Sequence, residues 1–447
     1  MRRTHALLVG GIIAAVGLVG VGSAAAQSGT GKPHATEIGV TAGEIHIAVI
    51  ADVDNPLAPG LFKGAVDGVK AGAAFLNSKA GGGGLAGRKV VVDFYDSKVN
   101  ANAARNATIE ACQNDLAMVG TMVLFLTSVD DMVNCKDRAG QVTGLPDLSS
   151  TAVGIPEACA PTSFPAIGTQ VQCDTITENP QTYNGNQGEG RWFVKTKGAK
   201  LHGPFLVSSD TKDANRGGTL LALSLQHAGI APDQGTTVAK SATEPQSAYT
   251  GIINQMKVKG SNFAFSGTAP SGTQALRSEA QLQGLPSSVS FTCTGCYNSP
   301  ESLANPSVWE GEYATLGVLP FDEAKANPML ARFLQYMRRV GGKPDAYSSY
   351  AWQAVIAFRD AVNATVQVDG INGITRTSLV DGIRSLTDFS AEGMAGTHSF
   401  KNAKLTACFV ETRIEHGKWH RVYPSKAGTF DCNPKNAIDI TANLLGR

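Results

Sequence analysis

The sequence predicts an α/β protein of two lobes, each built on a doubly wound parallel sheet, with one cleft between them. Strand and helix patterns alternate from Glu44 onward, and the same alternation returns from Pro204 onward. A leader of 26 residues would leave 421 of the 447 residues, more than the roughly 250–300 that one hydrophobic core serves. The composition, with 50 glycines and 43% hydrophobic but only 7% aromatic residues, is typical of a glycine- and alanine-rich α/β protein.

The first residues have the pattern of a secretory signal peptide. Arg2 and Arg3 precede an apolar, glycine-containing run over residues 6–21, and Ala24 to Ala26 supply the small residues of a cleavage site. We therefore expect residues 1–26 to be removed; the alternative is a retained anchor helix, which the glycines in the run disfavour. No cysteine lies near the cleavage point, so we expect a periplasmic or secreted protein without a lipid anchor.

The charge of the mature chain excludes some partners. Loss of Arg2 and Arg3 changes the formal charge from +1 to −1, which gives no basic field for nucleic acid or anionic lipid. No later segment approaches the ~20 apolar residues that cross a bilayer. Residues 27–43 lack periodicity and are interpreted as a flexible leader.

Periodicity then predicts the elements of the first lobe. Alternating apolar residues indicate strands, and the four-three-four-three spacing from Phe62 to Leu76 indicates a helix. In chain order we expect a strand at 45–49, a helix at 62–76, a glycine turn at 81–87, a strand at 90–95, a helix at 102–114 and a strand at 118–120.

The second half of the chain repeats the alternation and ends in helices and a hairpin. The strands are expected at 204–208 and 262–266, with helices at 217–229 and 250–257. The late elements are expected to be helices at 329–340, 350–366 and 379–386, followed by a hairpin within 407–422.

Eight cysteines follow the signal, and an even number in an exported chain indicates disulfides rather than metal ligands. Each cysteine has a neighbour within one supersecondary unit, so we expect pairing between sequence neighbours. A redox role for Cys293-Thr-Gly-Cys296 is the alternative, but such a motif needs a helix start, and Tyr297-Asn-Ser-Pro follows instead. The expected pairs are Cys112–Cys135, Cys159–Cys173, Cys293–Cys296 and Cys408–Cys432.

No catalytic constellation is evident. Gly82, Gly84 and Gly87 match the dinucleotide fingerprint, but they follow a helix and precede a strand, the reverse of the order that binds pyrophosphate. His416 and His420 have the spacing of helical zinc ligands, yet they flank a hairpin turn. We therefore expect no enzyme activity, no cofactor and no metal site.

Acidic side chains after the predicted strands offer no acid-base pair either. We interpret them as solvated loop residues rather than catalytic groups. These acids are Asp52, Asp54, Asp130 and Asp131.

The carboxyl ends of the parallel strands indicate where a ligand would bind, because open α/β sheets bind ligands there. The stretches concerned are rich in glycine and hydroxyl side chains, which suit a polar head group. They are residues 51–62, 121–128, 149–153, 209–216, 267–272 and 293–297.

The segments EIHIAVIADV, GVKAGAAFLN and GGGGLAGRKVVVDFYD between Glu44 and Asp96 resemble the branched-chain amino-acid type of periplasmic solute-binding proteins. The resemblance implies the type I periplasmic-binding-protein fold, in which two Rossmann-like lobes joined by three crossings close on a solute as a hinge. It implies lobes of residues 43–165 plus 318–386 and of residues 166–317 plus 387–440. It also implies that a monomer delivers the solute to the permease subunits of an ABC transporter.

The resemblance also implies a ligand-binding set drawn from both lobes. Ser149, Ser150, Thr151 and Thr127 would hold a polar head group, and aromatic residues would enclose the body of the solute. The full set is Phe62, Phe125, Leu126, Thr127, Ser149, Ser150, Thr151, Asn215, Gly267, Thr268, Tyr297 and Tyr350.

The expected solute is a small organic molecule, namely an amino acid, an amide or an organic acid. Two departures from the family pattern count against an α-amino acid. Cys293 to Cys296 stand where amino-acid binders offer an acid to the ammonium group, and the aromatic residue usual after Asp210 is missing. The rival class is a ligand-sensing receptor ectodomain, which would carry a transmembrane helix or an output domain.

Overall fold

The computed structural model of the protein describes residues 31–55, 59–198, 200–233, 235 and 237–445. The predicted signal peptide, including the cleavage point at Ala26, lies outside these residues. Within them, no helix combines the length and the apolar character that a membrane crossing requires.

Strands form two main sheets and two short pairs. In chain order the described strands are β1 (Glu44–Ala51), β2 (Lys89–Asp96), β3 (Ala117–Val119), β4 (Asp147–Leu148), β5 (Gln181–Asn186), β6 (His202–Gly203), β7 (Phe205–Ser208), β8 (Ala231–Pro232), β9 (Val238–Lys240), β10 (Phe263–Gly267), β11 (Ser290–Cys293), β12 (Tyr313–Leu316), β13 (Val410–Glu415), β14 (Lys418–Tyr423) and β15 (Ala437–Ala442).

Helices alternate with these strands, and each helix and strand predicted from periodicity is confirmed, with ends that shift by a few residues. The described α-helices are α1 (Lys63–Asn77), α2 (Ala101–Asn114), α3 (Asp130–Val133), α4 (Ile155–Ala158), α5 (Gly188–Lys197), α6 (Lys212–His227), α7 (Thr250–Lys259), α8 (Pro270–Leu282), α9 (Pro300–Ala304), α10 (Pro306–Trp309), α11 (Pro328–Arg339), α12 (Ala346–Asp369) and α13 (Arg376–Ser385).

The first sheet is parallel, has the order β2-β1-β3-β4 and is covered by helices on both faces. Ile45, Ile47 and Val49 of β1 face a core that they share with α1 and α12. Ala48 and Ile50 point to the opposite face, where they pack against α2. A strand that is buried on both faces reads as a nearly continuous apolar run, as β1 does.

Helices α1 and α12 pack closely although they are far apart in sequence. Two glycines of α1 make this approach possible. A Cβ atom at Gly68 would lie 2.4 Å from the carbonyl oxygen of Ser348, and one at Gly72 would lie 2.7 Å from a γ-carbon of Val355. The late helix therefore completes the core of the first sheet.

The second sheet has seven strands in the order β14-β13-β12-β11-β10-β7-β9. Strands β7 and β9 to β12 are parallel, and the β13–β14 hairpin adds an antiparallel edge. The chain passes between the two sheets after β4, after β12 and after α13. The lobe limits given above stay a prediction.

The described part of the predicted leader, residues 31–43, makes hydrogen bonds to the fold, and residues 27–30 lie outside the described residues. The guanidinium group of Arg88 is buried and donates to the carbonyl oxygens of His34 and Thr41, at 2.9 and 2.7 Å. The Glu37 carboxylate accepts from the backbone N–H groups of Arg138 and Arg376, at 2.8 and 3.3 Å. Because these buried groups need partners, they fix the segment against the fold.

The four predicted disulfides are confirmed. The Cα–Cα distances are 5.8 Å for Cys112–Cys135, 5.4 Å for Cys159–Cys173, 6.0 Å for Cys293–Cys296 and 3.9 Å for Cys408–Cys432. Among the described residues no cysteine is left unpaired.

Candidate functional site

A cavity of about 160 Å³ lies between the two sheets. It is formed at the carboxyl ends of β1, β2 and β3 on one side and of β7, β9, β10 and β11 on the other, the position that the rule for open α/β sheets predicts. The described residues that line it are Asn55, Leu61, Phe62, Val99, Leu124, Tyr347, Ser208, Asp210, Thr211, Ala214, Ala242, Gly267, Thr268, Ala269 and Thr294.

Asp52 holds the three loops of the first-lobe wall together. Its carboxylate is fully buried and accepts from the Ser97 hydroxyl at 2.6 Å and from the Val99 backbone N–H at 2.7 Å. Its second oxygen accepts from the Leu124 backbone N–H at 2.8 Å. The interpretation of Asp52 as a solvated loop acid is therefore wrong, because this carboxylate satisfies donors from the loops after β2 and β3.

Two aromatic rings, those of Phe62 and Tyr347, contribute to the first-lobe wall of the cavity. Phe62, which precedes α1, meets Tyr347 of α12 edge to face, with ring centroids 5.1 Å apart. Burial raises the pKa of Tyr347, so its hydroxyl stays protonated and available as a donor. A Cβ atom at Gly295 would lie 2.6 Å from the Tyr347 hydroxyl oxygen, so the Cys293–Cys296 loop approaches α12 closely at this point.

Asp210 provides the charged group of the second-lobe wall. Its carboxylate accepts from the hydroxyl groups of Ser241 and Ser208, at 2.6 and 3.1 Å, and from the Ala242 backbone N–H at 3.0 Å. These contacts fix the carboxylate at the cavity. Asp210 thus contributes a carboxylate to the cavity lining, although Cys293 to Cys296 occupy the position where amino-acid binders offer an acid.

Hydroxyl groups continue the second-lobe wall from Asp210. Thr268 follows β10, and its hydroxyl lies 2.9 Å from that of Ser266. Ser266 in turn lies 2.7 Å from the Thr273 hydroxyl of α8. A hydroxyl group has one donor and two acceptor lone pairs, so the Thr268 hydroxyl can bond to Ser266 and also to a ligand.

A hydrogen bond from Arg216 bridges the two lobes beside the cavity. Arg216 of α6 is nine-tenths buried, and its guanidinium group donates to the carbonyl oxygen of Val153 at 2.6 Å. The same guanidinium group pairs with Asp213. The Arg216–Val153 bond therefore ties the second-lobe helix to the loop that precedes α4.

Three residues of the predicted ligand set, Phe62, Gly267 and Thr268, line the cavity. Asn215 stands behind the wall, because its side-chain amide donates to the Ser208 carbonyl at 2.8 Å. These four positions are the part of the prediction that the structure brings together.

Other predicted residues lie away from this lining. Ser149 and Ser150 are fully buried, and the Ser150 hydroxyl donates to the Gly120 carbonyl at 3.0 Å. Tyr297 is enclosed by Phe321 and Trp419, and its hydroxyl accepts from the Phe321 backbone N–H at 2.7 Å. Ser150 and Tyr297 are thus engaged in the core, whereas the buried Ser149 hydroxyl has no hydrogen-bond partner among the described groups.

The rest of the predicted set is divided between the core and the loops. Leu126 packs in the core below α2, Phe125 and Thr151 are partly buried, and Thr127 is exposed. Burial, followed by the charge of Asp345, raises the pKa of Tyr350 to about 12. None of these residues belongs to the described lining, and a binding role for them stays a prediction.

Sequence reasoning did not select several lining residues. Asp210, Thr211 and Thr294 lie inside stretches that the strand-end rule identified, so the rule located them without ranking them. Tyr347 lies one helical turn from Tyr350, the position chosen from the resemblance. No sequence pattern indicates that Tyr347 is the ring that faces Phe62.

Solved structures with the same fold are known. The chain is similar to a fatty acid ABC transporter substrate-binding protein from Thermomonospora curvata, with a TM-score of 0.64 and 15% identity over 90% of this chain and 99% of that one. It is also similar to a leucine binding protein from Thermotoga maritima, with a TM-score of 0.62 and 13% identity over 84% and 97% of the two chains.

An ABC transporter substrate-binding protein from Desulfitobacterium hafniense, in complex with Leu, has a TM-score of 0.57 and 16% identity over 85% of this chain and all of that one. A sequence comparison with curated proteins finds no match. The model of the periplasmic binding protein family matches residues 44–418, from β1 to the first residue of β14. The chain therefore belongs to the periplasmic binding protein family, a family of extracytoplasmic binding proteins rather than enzymes.

Proposed function

We propose that the protein is the substrate-binding component of an ABC importer and captures a small organic solute in the cavity between its lobes. The cavity itself carries this proposal, because both lobes contribute strand-end residues to one cleft. A solute that contacts both walls favours the closed arrangement of the lobes by its differential affinity. The structural relatives named above, which are ABC transporter binding proteins, support the same role.

The cavity walls define the class of solute that we propose. Leu61, Phe62 and Leu124 offer apolar contacts from the first lobe, whereas Asp210 and Thr268 offer an anionic acceptor and a hydroxyl from the second. The cavity volume of about 160 Å³ is close to the volume, about 150 Å³, of a protein cavity that binds benzene. We therefore propose a compact solute with an apolar body and a hydrogen-bond donor, such as an amide or an amine.

The sign of the effect of Asp210→Asn tests this solute class. A thermal-shift screen of amides, amines, amino acids and carboxylic acids is expected to find a stabilising solute. If the solute donates to Asp210, the substitution weakens binding by about 1.5–3 kcal/mol, the contribution of a hydrogen bond to a charged group. Titration calorimetry with the wild type and the variant measures this difference.

Asp322→Asn is the matched control, because Asp322 is an exposed acid that faces His420 and does not line the cavity. Its solute affinity is expected to equal that of the wild type. If Asp210→Asn tightens the binding instead, the solute is an anion that the carboxylate repels, and the organic-acid prediction is correct. An unchanged affinity in Asp210→Asn would place the solute elsewhere.

We also propose that the mature protein begins at Gln27 and carries no lipid. The Ala24 to Ala26 sequence and the lack of a cysteine at the cleavage point support this proposal. Intact mass spectrometry of protein secreted by an expressing bacterium is expected to give the mass of residues 27–447 with four disulfides. A mass that includes residues 1–26, or an added acyl chain, contradicts it.

The remaining partners follow from the same role. We propose that the protein acts as a monomer and that membrane permease subunits receive the solute from it. The family match supports a permease partner.

A further inference from the structure

A cluster of a histidine and carboxylates lies at the amino end of the first sheet, the end opposite the cavity. His46 is the third residue of β1, and Asp93 lies on the neighbouring strand β2. Asp115 follows α2 and precedes β3. Three separate elements thus bring these side chains to one place, although no spacing in the sequence indicates a metal site.

The distances within the cluster are those of side chains that can share one ion. One potential ligand atom from each of His46, Asp93 and Asp115 lies within 4.8 Å of the others. His46 Nδ1 lies 2.8 Å from Asp93 Oδ2, and His46 Nε2 lies 3.4 Å from Glu44 Oε2. The side chains of His46 and Asp93 are 29% and 35% exposed, so an ion can enter from solvent.

Asp115 is the unusual member of the cluster. Its side chain is fully buried, and its Oδ2 accepts from the Tyr95 hydroxyl at 3.2 Å. Its Oδ1 has no hydrogen-bond partner among the described groups. A buried carboxylate oxygen without a partner is costly, which makes Oδ1 a ready acceptor for a cation.

The surroundings of Asp115 add to this cost. Asp115 follows the last turn of α2, where the helix carries partial negative charge that disfavours an acid and favours a cation. The nearby Arg376 guanidinium donates to the backbone oxygen of Asp115, at 2.7 Å, and leaves Oδ1 unpaired.

We propose that His46, Asp93 and Asp115 form a binding site for a small divalent transition-metal ion of the zinc class, with a coordination position left open to solvent. One imidazole nitrogen and two or three carboxylate oxygens suit Zn²⁺, whereas Ca²⁺ takes six to eight oxygen ligands. Tetrahedral ligands at about 2.1 Å from zinc lie roughly 3.4 Å apart. Side-chain rotation that closes the 4.8 Å spread by about 1.4 Å completes the site.

The test is a zinc titration of the full mature chain, made without a histidine tag and freed of metal by a chelator. Competition with a chromophoric zinc indicator is expected to show one Zn²⁺ per chain. Asp115→Asn and His46→Gln are each expected to weaken this binding at least tenfold. Far-ultraviolet circular dichroism of each variant verifies that the chain is folded.

His202→Gln is the matched control, because His202 also pairs with an aspartate, Asp233, at 2.6 Å, but no third ligand completes that pair among the described residues. Its zinc affinity is expected to equal that of the wild type. Cobalt gives a second readout, because visible bands of the Co²⁺-loaded wild type are expected to be lost in His46→Gln. Equal zinc affinity in wild type, Asp115→Asn and His46→Gln overturns the proposal. A wild type that binds no zinc at 0.1 mM overturns it as well.

Discussion

Replacement of Asp52 by alanine is expected to lower the free energy of unfolding by about 3–5 kcal/mol and to reduce solute binding. The substitution leaves the Ser97 hydroxyl and the backbone N–H groups of Val99 and Leu124 without their buried acceptor. Val99 and Leu124 both line the cavity, so the wall loses its shape together with its stability. Guanidinium denaturation measures the first effect and a solute titration the second.

Asp54→Ala is the control for this prediction. Asp54 lies two residues further along the same loop, but its side chain is exposed. Its replacement is expected to change the free energy of unfolding by no more than about 0.5 kcal/mol, as for most surface substitutions. Equal denaturation midpoints for the two variants would show that Asp52 does not hold the loops.

The protein is expected to lose stability as the pH rises from about 5 to 8. The partly buried Glu189 of α5 and the fully buried Glu411 of β13 form a carboxyl pair, with the hydroxyl groups of Thr292 and Thr315 as donors. Burial raises the pKa of Glu189 to about 7 and, together with the charge of Glu189, raises the pKa of Glu411. Burial acts in the same direction on Glu312, whose pKa rises to about 7.

The sign of the pH effect follows from these raised pKa values. Below the ordinary carboxyl pKa, about 4.3, both the folded and the unfolded chain hold the proton, and the stability is complete. Between that value and about 7 only the folded chain keeps the proton, so its stability falls as the pH rises through this window. Each unit of pKa difference corresponds to about 1.4 kcal/mol, which gives a loss of roughly 2–3 kcal/mol between pH 5 and 8 for Glu189 alone.

Glu189→Gln isolates the contribution of the pair. The amide stays neutral, so the variant is expected to be more stable than the wild type at pH 8 and similar to it at pH 5. Denaturant titrations at the two pH values measure the difference. Glu110→Gln, an exposed substitution in α2, is expected to keep the pH dependence of the wild type. A wild type that gains stability between pH 5 and 8 contradicts this account.

The order of the elements could be predicted from the sequence because local patterns determine it. The alternation of Ile45, Ile47 and Val49 and the spacing from Phe62 to Leu76 each reflect one buried face. The leader could not be predicted in this way. Residues 32–43 have no periodicity of their own. They are held in place by hydrogen bonds from Arg88 and Arg376, which lie in distant parts of the chain.

The sequence predicts where the candidate site lies but only some of the residues that line it. The strand-end rule follows from the topology of parallel sheets, and it located both walls. The choice between neighbours such as Tyr347 and Tyr350 depends on the rotation of α12 against α1, which the sequence pattern does not specify. The burial of Asp52 could not be predicted for a similar reason, because it results from the meeting of three loops.

The bond between Arg88 and Ile371 links residues that are 283 positions apart, and α12 covers the core that β1 and α1 begin. A ribosome makes roughly 5–20 residues per second, so the first strands wait at least about ten seconds for this partner. During that interval the apolar surface that α12 buries lacks its native cover, and such exposed surface favours aggregation unless a chaperone binds it. A fragment that ends before α12 is accordingly a poor choice for expression of the first lobe.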